Sequence, residues 1–404
     1  MKIKKSVKEA MKQLQIKKLR RNQIKPINSV LDGRDTMVIA PTSYGKSLLY
    51  QIPAIVNGKK LTVVIEPLLA LIHDQVEKLQ GLGIAAFYLD STQSRPEQRQ
   101  VMELLDEGKV TLLYIAPERL ETGILFQLER HNKIGLVVID ECHCVVSWGY
   151  AFRESYLEIG KWIGYLRKRP VILALSATAV PEDRPRIMEL LSMQDEDVRM
   201  FEKSLYRSNL TFLKRMAPTR KDQQKELERS MKKYHRHTTI VFCNTKTAVE
   251  NVAAYLEKLY PNEVMAYHSG KKREEKAMLA GKKHIIVATS ALSMGVDVRN
   301  VDLVIHFNMP LSLADYYQMS GRAGREGQKA RSILLYNPDD YYTGLAMVGD
   351  VEDKAFRRLA EQRLNEMKEF CDDKERCMVQ VMLHALGDTY TGKCRYCTNC
   401  QKER

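Results

Sequence analysis

Short apolar runs of strand length alternate with amphipathic stretches of helical length through the first 200 residues. The apolar runs comprise residues 36–40, 61–66, 84–89, 110–115, 134–139 and 171–175. Helical periodicity separates them, for example at residues 68–79 and 96–105. Because parallel strands need crossover connections and are buried on both faces, this alternation predicts an α/β fold with a doubly wound, largely parallel sheet.

The same rhythm starts again in the second half of the chain. Apolar runs recur at residues 239–242, 264–267, 285–288, 303–305 and 333–336, with helical segments at 246–259 and 314–319. A charged segment, residues 200–224, lies between the two halves and is predicted to be a hinge. After residue 341 the pattern becomes helical, at 353–372 and 374–386. We therefore expect domains at residues 1–203, 204–341 and 342–404.

Charge indicates a polyanionic partner. The 404 residues carry 64 Lys and Arg against 50 Asp and Glu, and the first 25 residues hold ten of these bases with one acid, Glu9. A solvated basic helix face is the alternative explanation of that opening segment. No run approaches 18 apolar residues and no secretory signal is evident, so we expect a cytoplasmic protein, associated with the nucleoid if it is bacterial.

Two acids, Asp140 and Glu141, directly follow the apolar run at 134–139. A buried parallel strand delivers its first polar residues at the carboxyl edge of the sheet, where α/β proteins bind ligands. Nucleotide hydrolysis is one reaction that needs such a pair, with Asp140 holding Mg²⁺ and Glu141 orienting the attacking water. A solvated strand end is the alternative.

A phosphate-binding loop is predicted upstream, between a strand and a helix. Its backbone N–H groups would cradle the phosphates, Lys46 would neutralise the β- and γ-oxygens, and Ser47 would be a Mg²⁺ ligand. A chance Gly-Lys-Ser is the alternative, but here the sequence follows a strand, opens a helix and precedes the acid pair. The loop residues are Thr42, Ser43, Tyr44, Gly45, Lys46 and Ser47.

Several short stretches, taken in order, resemble a known family. They are Leu19-Arg20-Arg21-Asn22-Gln23, Ala40 to Pro53, Asp140-Glu141-Cys142-His143, Ser147 to Arg153, Leu175 to Ala179, Met294 to Asp297 and Tyr316 to Arg325. The chain resembles the RecQ helicases, DNA motors of superfamily 2, from about Leu19 to Cys400. The resemblance implies two RecA-like domains followed by a small helical zinc-binding module.

The resemblance also implies roles for individual residues. Gln23 would pair with the adenine edge, with Arg20 as a second contact, although a surface glutamine is the alternative. Arg322 or Arg325 would act as an arginine finger on the γ-phosphate, the alternative being contact with nucleic-acid phosphates. The other nucleotide-site residues on this basis are His143, Gln318 and Asp297.

An aromatic-rich segment follows the acid pair and, in this family, links DNA binding to ATP hydrolysis. It comprises Trp148, Tyr150, Phe152 and Arg153, and exposed aromatics of this kind can stack on bases. Ordinary core packing of Trp148 and Phe152 is the alternative. Tyr150, Ala151 and Glu154 depart from the family pattern, as does Ser43-Tyr44, where two glycines are usual. We expect backbone strain at Ser43-Tyr44 if a left-handed angle is needed there.

Four cysteines near the end of the chain have the spacing of a zinc site. Two residues between thiolates let a tight turn present both sulfurs to one tetrahedral ion, and four thiolates leave no open position. An iron–sulfur cluster or free thiols are the alternatives. Cys371 lies outside the pattern. The predicted ligands are Cys377, Cys394, Cys397 and Cys400.

Together with these features, the resemblance implies an ATP- and Mg²⁺-dependent DNA helicase with structural Zn²⁺, acting on single-stranded or forked DNA in repair or recombination. Translocation from 3′ to 5′ is implied by the resemblance alone. Two alternatives remain open: an RNA-remodelling superfamily 2 enzyme, and a nucleotide-gated nucleic-acid-binding protein that does not unwind.

Overall fold

A computed structural model describes residues 4–401 except residues 42–43, 123–127, 129–133, 147–149, 194–197, 235–237, 269–282, 294–297 and 299. The chain divides into two compact units, residues 1–203 and 204–404. Each unit is built on its own parallel β-sheet. The predicted fold class is therefore confirmed at the level of secondary structure and sheet topology.

Unit 1 contains the strands β1 (Thr36–Ile39), β2 (Leu61–Ile65), β3 (Ala86–Leu89), β4 (Leu112–Ile115), β5 (Ile134–Ile139), β6 (Val171–Ser176) and β7 (Arg199–Glu202). They lie in the order β3-β4-β2-β5-β6-β1-β7, and each pairing is parallel. Its helices are α1 (Lys5–Gln13), α2 (Arg21–Leu31), α3 (Leu48–Val56), α4 (Leu69–Gly81), α5 (Arg95–Asp106), α6 (Tyr150–Tyr165) and α7 (Arg184–Leu190). Short 3-10 helices span Pro117–Thr122, Cys142–Val145 and Pro181–Asp183.

Strand β5 shows why the apolar runs are continuous rather than alternating. Val137 and Ile139 pack into the core on one face of the sheet. Leu136 and Val138 pack into a second core on the opposite face. Successive side chains of a strand point to opposite faces, so a strand covered on both sides needs apolar residues at every position. The acid pair after β5 is therefore the first place where the strand can carry charge.

The basic opening segment forms an amphipathic helix. Val7, Ala10, Met11 and Leu14 recur at helical spacing and are buried in the core of unit 1, whereas the lysines of α1 stay exposed. This arrangement gives the basic residues a solvated face, one of the two explanations that composition allowed.

Unit 2 contains the strands β8 (Leu210–Met216), β9 (Thr238–Phe242), β10 (Val264–Tyr267), β11 (Ile285–Ala288), β12 (Val301–His306) and β13 (Ala330–Tyr336). They lie in the order β10-β11-β9-β12-β13-β8, again with parallel pairings. Its helices are α8 (Arg220–Tyr234), α9 (Lys246–Leu259), α10 (Leu313–Ser320), α11 (Asp340–Gly349), α12 (Lys354–Asp372), α13 (Met378–Ala385) and α14 (Thr398–Gln401). A 3-10 helix spans Ser290–Ser293.

The predicted hinge at residues 200–224 is wrong in extent. Strand β7 adds to the edge of the first sheet and β8 to the edge of the second, and α8 begins at Arg220. Only residues 203–209 connect the two sheets. Edge strands keep one side toward solvent and carry charges there, so their composition obscured their strand character.

Candidate functional site

The phosphate loop and the acid pair meet in unit 1. The Lys46 side chain is 8% exposed, and its Nζ lies 3.4 Å from Oε1 of Glu141 and 3.8 Å from Oδ1 of Asp140. Lys46 lies two residues before α3, which begins at Leu48. A buried cation, two carboxylates and a helix start thus occupy one corner of the sheet. This is the chemistry that binding a magnesium triphosphate requires.

The expected backbone strain at Tyr44 is absent. The left-handed angle of the loop falls on Gly45, with φ of 80°, and Tyr44 has an ordinary negative φ. The Tyr44 ring is 2% exposed and packs in the core of unit 1. Glycine is the residue that adopts this conformation without steric cost. The loop therefore tolerates Tyr44, which the sequence comparison with glycine-rich loops did not anticipate.

Backbone strain lies instead at Glu141. Its φ of 47° and ψ of 47° are left-handed, which is uncommon for a residue with a side chain. Its backbone N–H donates to Oδ1 of Asp140 at 2.9 Å, and the Asp140 N–H donates to the carbonyl of Ile65 on β2 at 3.0 Å. Strained residues of this kind cluster at functional sites. The turn brings the Glu141 carboxylate to Lys46.

Neighbouring charges push the pKa values of the two acids apart. Burial opposes ionisation of Glu141, but Lys46 and His143 outweigh it and hold its pKa well below the usual range. For Asp140, burial dominates and raises the pKa, with only partial compensation by Lys46. Glu141 is therefore ionised at neutral pH and can accept a hydrogen bond from a water molecule.

His143 connects the acid pair to Ser176, the last residue of β6. Its Nδ1 lies 3.0 Å from Oγ of Ser176 and 3.3 Å from Oε2 of Glu141. Ser176 Oγ in turn accepts hydrogen bonds from the backbone N–H groups of Thr178 and Ala179. These contacts link two stretches more than 30 residues apart in sequence, and they hold the imidazole of His143 next to the Glu141 carboxylate.

Gln23 is held by the phosphate loop in this structure. Its Nε2 donates to the carbonyls of Tyr44 at 2.9 Å and Gly45 at 3.2 Å, and its Oε1 accepts the Arg20 N–H at 2.8 Å. The side chain is 2% exposed. Both ends of the amide are therefore engaged with backbone, so contact with adenine requires an exchange of partners. The adenine role of Gln23 and Arg20 stays a prediction.

In unit 2, α10 leads into the arginine loop, which we define as residues 321–325. Gln318 and Arg322 are each 6% exposed, and Gly324 has a left-handed φ of 64°. The carbonyls of this loop accept hydrogen bonds from Arg207, whose guanidinium donates to Gly321 at 3.0 Å, to Ala323 at 2.9 Å and to Gly324.

Asn209 adds further contacts to the same loop. Its Nδ2 donates to the carbonyls of Gly324 at 2.9 Å and Gln328 at 2.8 Å. Sequence reasoning missed both Arg207 and Asn209, because they lie in the charged segment that was interpreted as a hinge. They belong instead to the support of the loop that carries Arg322 and Arg325, the two candidates for the predicted arginine finger.

Some predicted site residues cannot be placed. Thr42, Ser43, Trp148 and Asp297 lie outside the described residues. The structure describes the backbone but not the side chains of Tyr150, Phe152 and Arg153, which open helix α6. Their coupling and nucleotide roles stay predictions.

The four predicted zinc ligands converge. The sulfur atoms of Cys377, Cys394, Cys397 and Cys400 all lie within 4.8 Å of one another, and each residue is buried. A tetrahedral ion with Zn–S bonds of about 2.3 Å places its sulfurs about 3.8 Å apart, so the cluster fits Zn²⁺. Backbone N–H groups of Cys394 and Cys397 donate to neighbouring sulfurs, at 3.4 Å and 3.3 Å. Such donors stabilise thiolates.

The cysteine cluster is bonded to the second sheet through Lys214 of β8. Its Nζ donates to the carbonyls of Phe370, Cys371 and Asp373 at 2.6–3.2 Å, at the end of α12. Its backbone N–H donates to Oγ1 of Thr398, which precedes the last ligand by two residues. Zinc binding and the edge of the second sheet are therefore structurally coupled.

Comparison with known proteins identifies the family. A DEAD/DEAH box helicase model matches residues 20–185, a helicase conserved C-terminal domain model matches 222–327, and a RecQ zinc-binding model matches 338–401. The ATP-dependent DNA helicase RecQ of Pasteurella multocida is 34% identical over 388 residues, which cover 94% of this chain and 60% of that protein. The chain belongs to the RecQ helicase family.

Solved structures agree with this RecQ assignment at the level of fold. The helicase MrfA bound to DNA matches with a TM-score of 0.69 and 21% identity, over 85% of this chain and 52% of that one. Mss116p bound to ssRNA and AMP-PNP matches with a TM-score of 0.70 and 16% identity, over 95% and 90%. Both sheets are thus of the RecA-like helicase type, and the cysteine cluster is the zinc centre of a RecQ chain. None of the described helices combines the length and hydrophobicity that crossing a bilayer requires.

Proposed function

We propose that this RecQ chain is an ATP-dependent DNA helicase that translocates from 3′ to 5′. The observation that carries the proposal is the convergence of Lys46 with Asp140 and Glu141 at the carboxyl edge of the first sheet. The RecQ family match adds the expectation of DNA as substrate, although the chain spans only 60% of the length of the Pasteurella relative.

The residues of unit 1 have complementary tasks in this proposal. Lys46 leaves the carboxylates and binds the β- and γ-phosphate oxygens, while N–H groups at the start of α3 bind the remaining oxygens. Glu141, ionised at neutral pH, orients the water that attacks the γ-phosphate, and His143 holds that carboxylate in position. Ser47 and Asp140 supply the hard oxygen ligands that suit Mg²⁺, which when bound neutralises developing charge on the phosphates.

The arginine loop has a second task. We propose that Arg322 or Arg325 stabilises the charge on the γ-phosphate in the transition state and that Gln318 contributes to the same site. The contacts of Arg207 and Asn209 support this role, because they fix the loop backbone that carries both arginines. Asp297, Arg20 and Gln23 complete the nucleotide site in the proposal.

DNA is the proposed partner, in single-stranded or forked form, and repair or recombination is the proposed setting. Trp148, Tyr150, Phe152 and Arg153 would transmit DNA binding to Glu141, a few residues away in sequence. The proposed domains are two motor domains, residues 1–203 and 204–341, and a helical zinc-binding domain, residues 342–404. A cytoplasmic location, on the nucleoid in a bacterium, follows from the proposed substrate.

An RNA substrate is the second candidate, favoured by the fold match to Mss116p bound to ssRNA. Stimulation of ATP hydrolysis by equal amounts of poly(dT) and poly(U) separates the two. We expect poly(dT) to stimulate more strongly, and a preference for poly(U) would replace DNA by RNA in the proposal.

The test of the proposal is phosphate release with and without single-stranded DNA. We expect DNA to stimulate hydrolysis, and we expect Lys46→Ala to reduce the rate to background. Lys109→Ala is the matched control, because the Lys109 side chain is 65% exposed and pairs with Glu107 at the surface. Release that stays at background with DNA present, and does not change in Lys46→Ala, would contradict a motor and favour a protein that merely binds nucleotide.

A further inference from the structure

A third acid, Glu66, lies beside the acid pair. It directly follows β2 and is 2% exposed, and its Oε1 is buried without a hydrogen-bond partner among the described residues. Its backbone N–H donates to the carbonyl of Ile115 at 3.2 Å, which anchors the main chain at this point. Ionisable side chains are rarely this buried unless they are paired, because desolvation disfavours the charge. Glu66 therefore calls for a specific explanation.

The sheet register puts Glu66 next to Asp140. Ile65 is paired with Ile139 in the ladder between β2 and β5, so the next residue on each strand is an acid. The Asp140 N–H donates to the carbonyl of Ile65 at 3.0 Å, which continues this ladder. Neighbouring strands lie about 4.8 Å apart, so both acids leave the sheet at the same edge.

The buried cluster has more negative than positive groups. Glu66, Asp140 and Glu141 are three carboxylates, and the basic groups near them are Lys46 and His143. Burial, followed by the charges of Asp140 and Glu141, raises the pKa of Glu66 well above its usual range, and Lys46 offsets this only in part. The two basic groups are thus too few to keep all three acids ionised before a cation enters.

Nucleotide binding makes the imbalance worse. In this structure Lys46 Nζ forms ion pairs with Glu141 at 3.4 Å and with Asp140 at 3.8 Å. The proposed function requires Lys46 to bind the phosphates instead. The carboxylates then face a polyphosphate with less compensation. A divalent cation restores the balance, and carboxylate oxygens and water are the ligands that such hard cations prefer.

We propose that Glu66 is a third carboxylate of the divalent-cation site, acting on the metal directly or through a metal-bound water. This inference rests on the proposed nucleotide function of the same site. It assigns to this chain a stronger dependence of nucleotide binding on Mg²⁺ than the pair Asp140 and Glu141 alone would produce.

The experiment compares the unmodified chain with Glu66→Gln and Glu66→Ser. Gln keeps the shape and removes the charge, and Ser shows whether any effect depends on the added amide. Glu97→Gln is the matched control, because Glu97 is an exposed acid whose bonds to Ser94 at the start of α5 an amide can largely reproduce. The two readouts are the dissociation constant of a fluorescent ADP in Mg²⁺ and in EDTA, and Mn²⁺ binding followed by electron paramagnetic resonance.

In both Glu66 variants we expect Mn²⁺ affinity to fall by about tenfold and the gain in ADP affinity from Mg²⁺ to shrink by a similar factor, since each lost ligand weakens a hard cation site. ADP binding in EDTA should stay equal or become tighter. Unchanged Mn²⁺ and Mg²⁺ titrations, with ADP binding intact, would overturn the role of Glu66 alone. An unmodified chain that binds no ADP under either condition would overturn the proposed function, and the role of Glu66 with it.

Discussion

Replacing Arg207 with lysine should slow ATP hydrolysis while leaving nucleotide affinity nearly unchanged. Arg207 is 9% exposed and donates to three carbonyls of the arginine loop, those of Gly321, Ala323 and Gly324. Lysine keeps the positive charge but has one nitrogen in place of the planar fork, so it cannot hold the same set of carbonyls. Its proposed effect is on the position of Arg322 and Arg325.

The size of the effect follows from the bonds lost. A hydrogen bond to a charged group contributes about 1.5–3 kcal/mol net, and lysine loses at least one of those that Arg207 makes. If the arginine loop acts in the transition state, one such loss lowers kcat by roughly 10- to 150-fold. Nucleotide affinity should change little, because the proposed function assigns phosphate binding to Lys46 and its loop rather than to the arginine loop.

The assay is steady-state ATP hydrolysis with saturating single-stranded DNA, combined with direct titration of a fluorescent ATP analogue. Lys214→Met is the matched control, since Lys214 also donates to three backbone carbonyls of unit 2, far along the chain at the end of α12. That control should lower the thermal stability of the chain but not kcat per folded molecule. The reasoning is refuted if Arg207→Lys keeps kcat within about twofold, or if both variants lose kcat to the same degree.

Two other predictions concern the zinc centre and a buried histidine. The purified chain should hold one zinc per molecule by a colorimetric chelator assay, and Cys394→Ser should lose it, whereas Cys371→Ala should retain it because Cys371 is buried outside the cluster; equal zinc in both variants would contradict the assigned ligands. His306 is fully buried, and burial lowers its pKa to about 3 from the usual 6.5. On acidification, His306 is therefore protonated in the unfolded chain at a higher pH than in the folded chain. The free energy of unfolding should fall as pH drops from about 6.5 toward 3, by up to about 1.4 kcal/mol per pH unit. Urea unfolding between about pH 7 and 5.5 should show a loss about 1 kcal/mol smaller in His306→Phe, and parallel losses in both proteins would count against this assignment.

The sequence was sufficient to predict those features that depend on residues close together in the chain. A run such as residues 134–139 has to be a doubly covered strand, since it is apolar at each position, and the acids after it mark the sheet edge. The cysteine spacing likewise predicted its own cluster, because two residues between thiolates limit how far apart the sulfurs can be.

Contacts between distant segments could not be predicted in this way. The bond from Gln23 to the phosphate loop spans 21 residues, and that from Arg207 to the arginine loop spans more than 110. Glu66 is the last residue of the apolar run at 61–66, and its relation to Asp140 depends on which strand lies next to β2. Edge strands were missed for a related reason, since their exposed side resembles a charged linker.

Strand separation on forked DNA tests the central claim most directly. The substrate is a labelled fork with either a 3′ or a 5′ single-stranded tail, mixed with the full chain and ATP, and Lys46→Ala serves as the inactive control. We predict unwinding of the fork with the 3′ tail that requires ATP hydrolysis and is lost in the control. Failure to separate either fork despite DNA-stimulated hydrolysis, or separation that continues in Lys46→Ala, would contradict the helicase account.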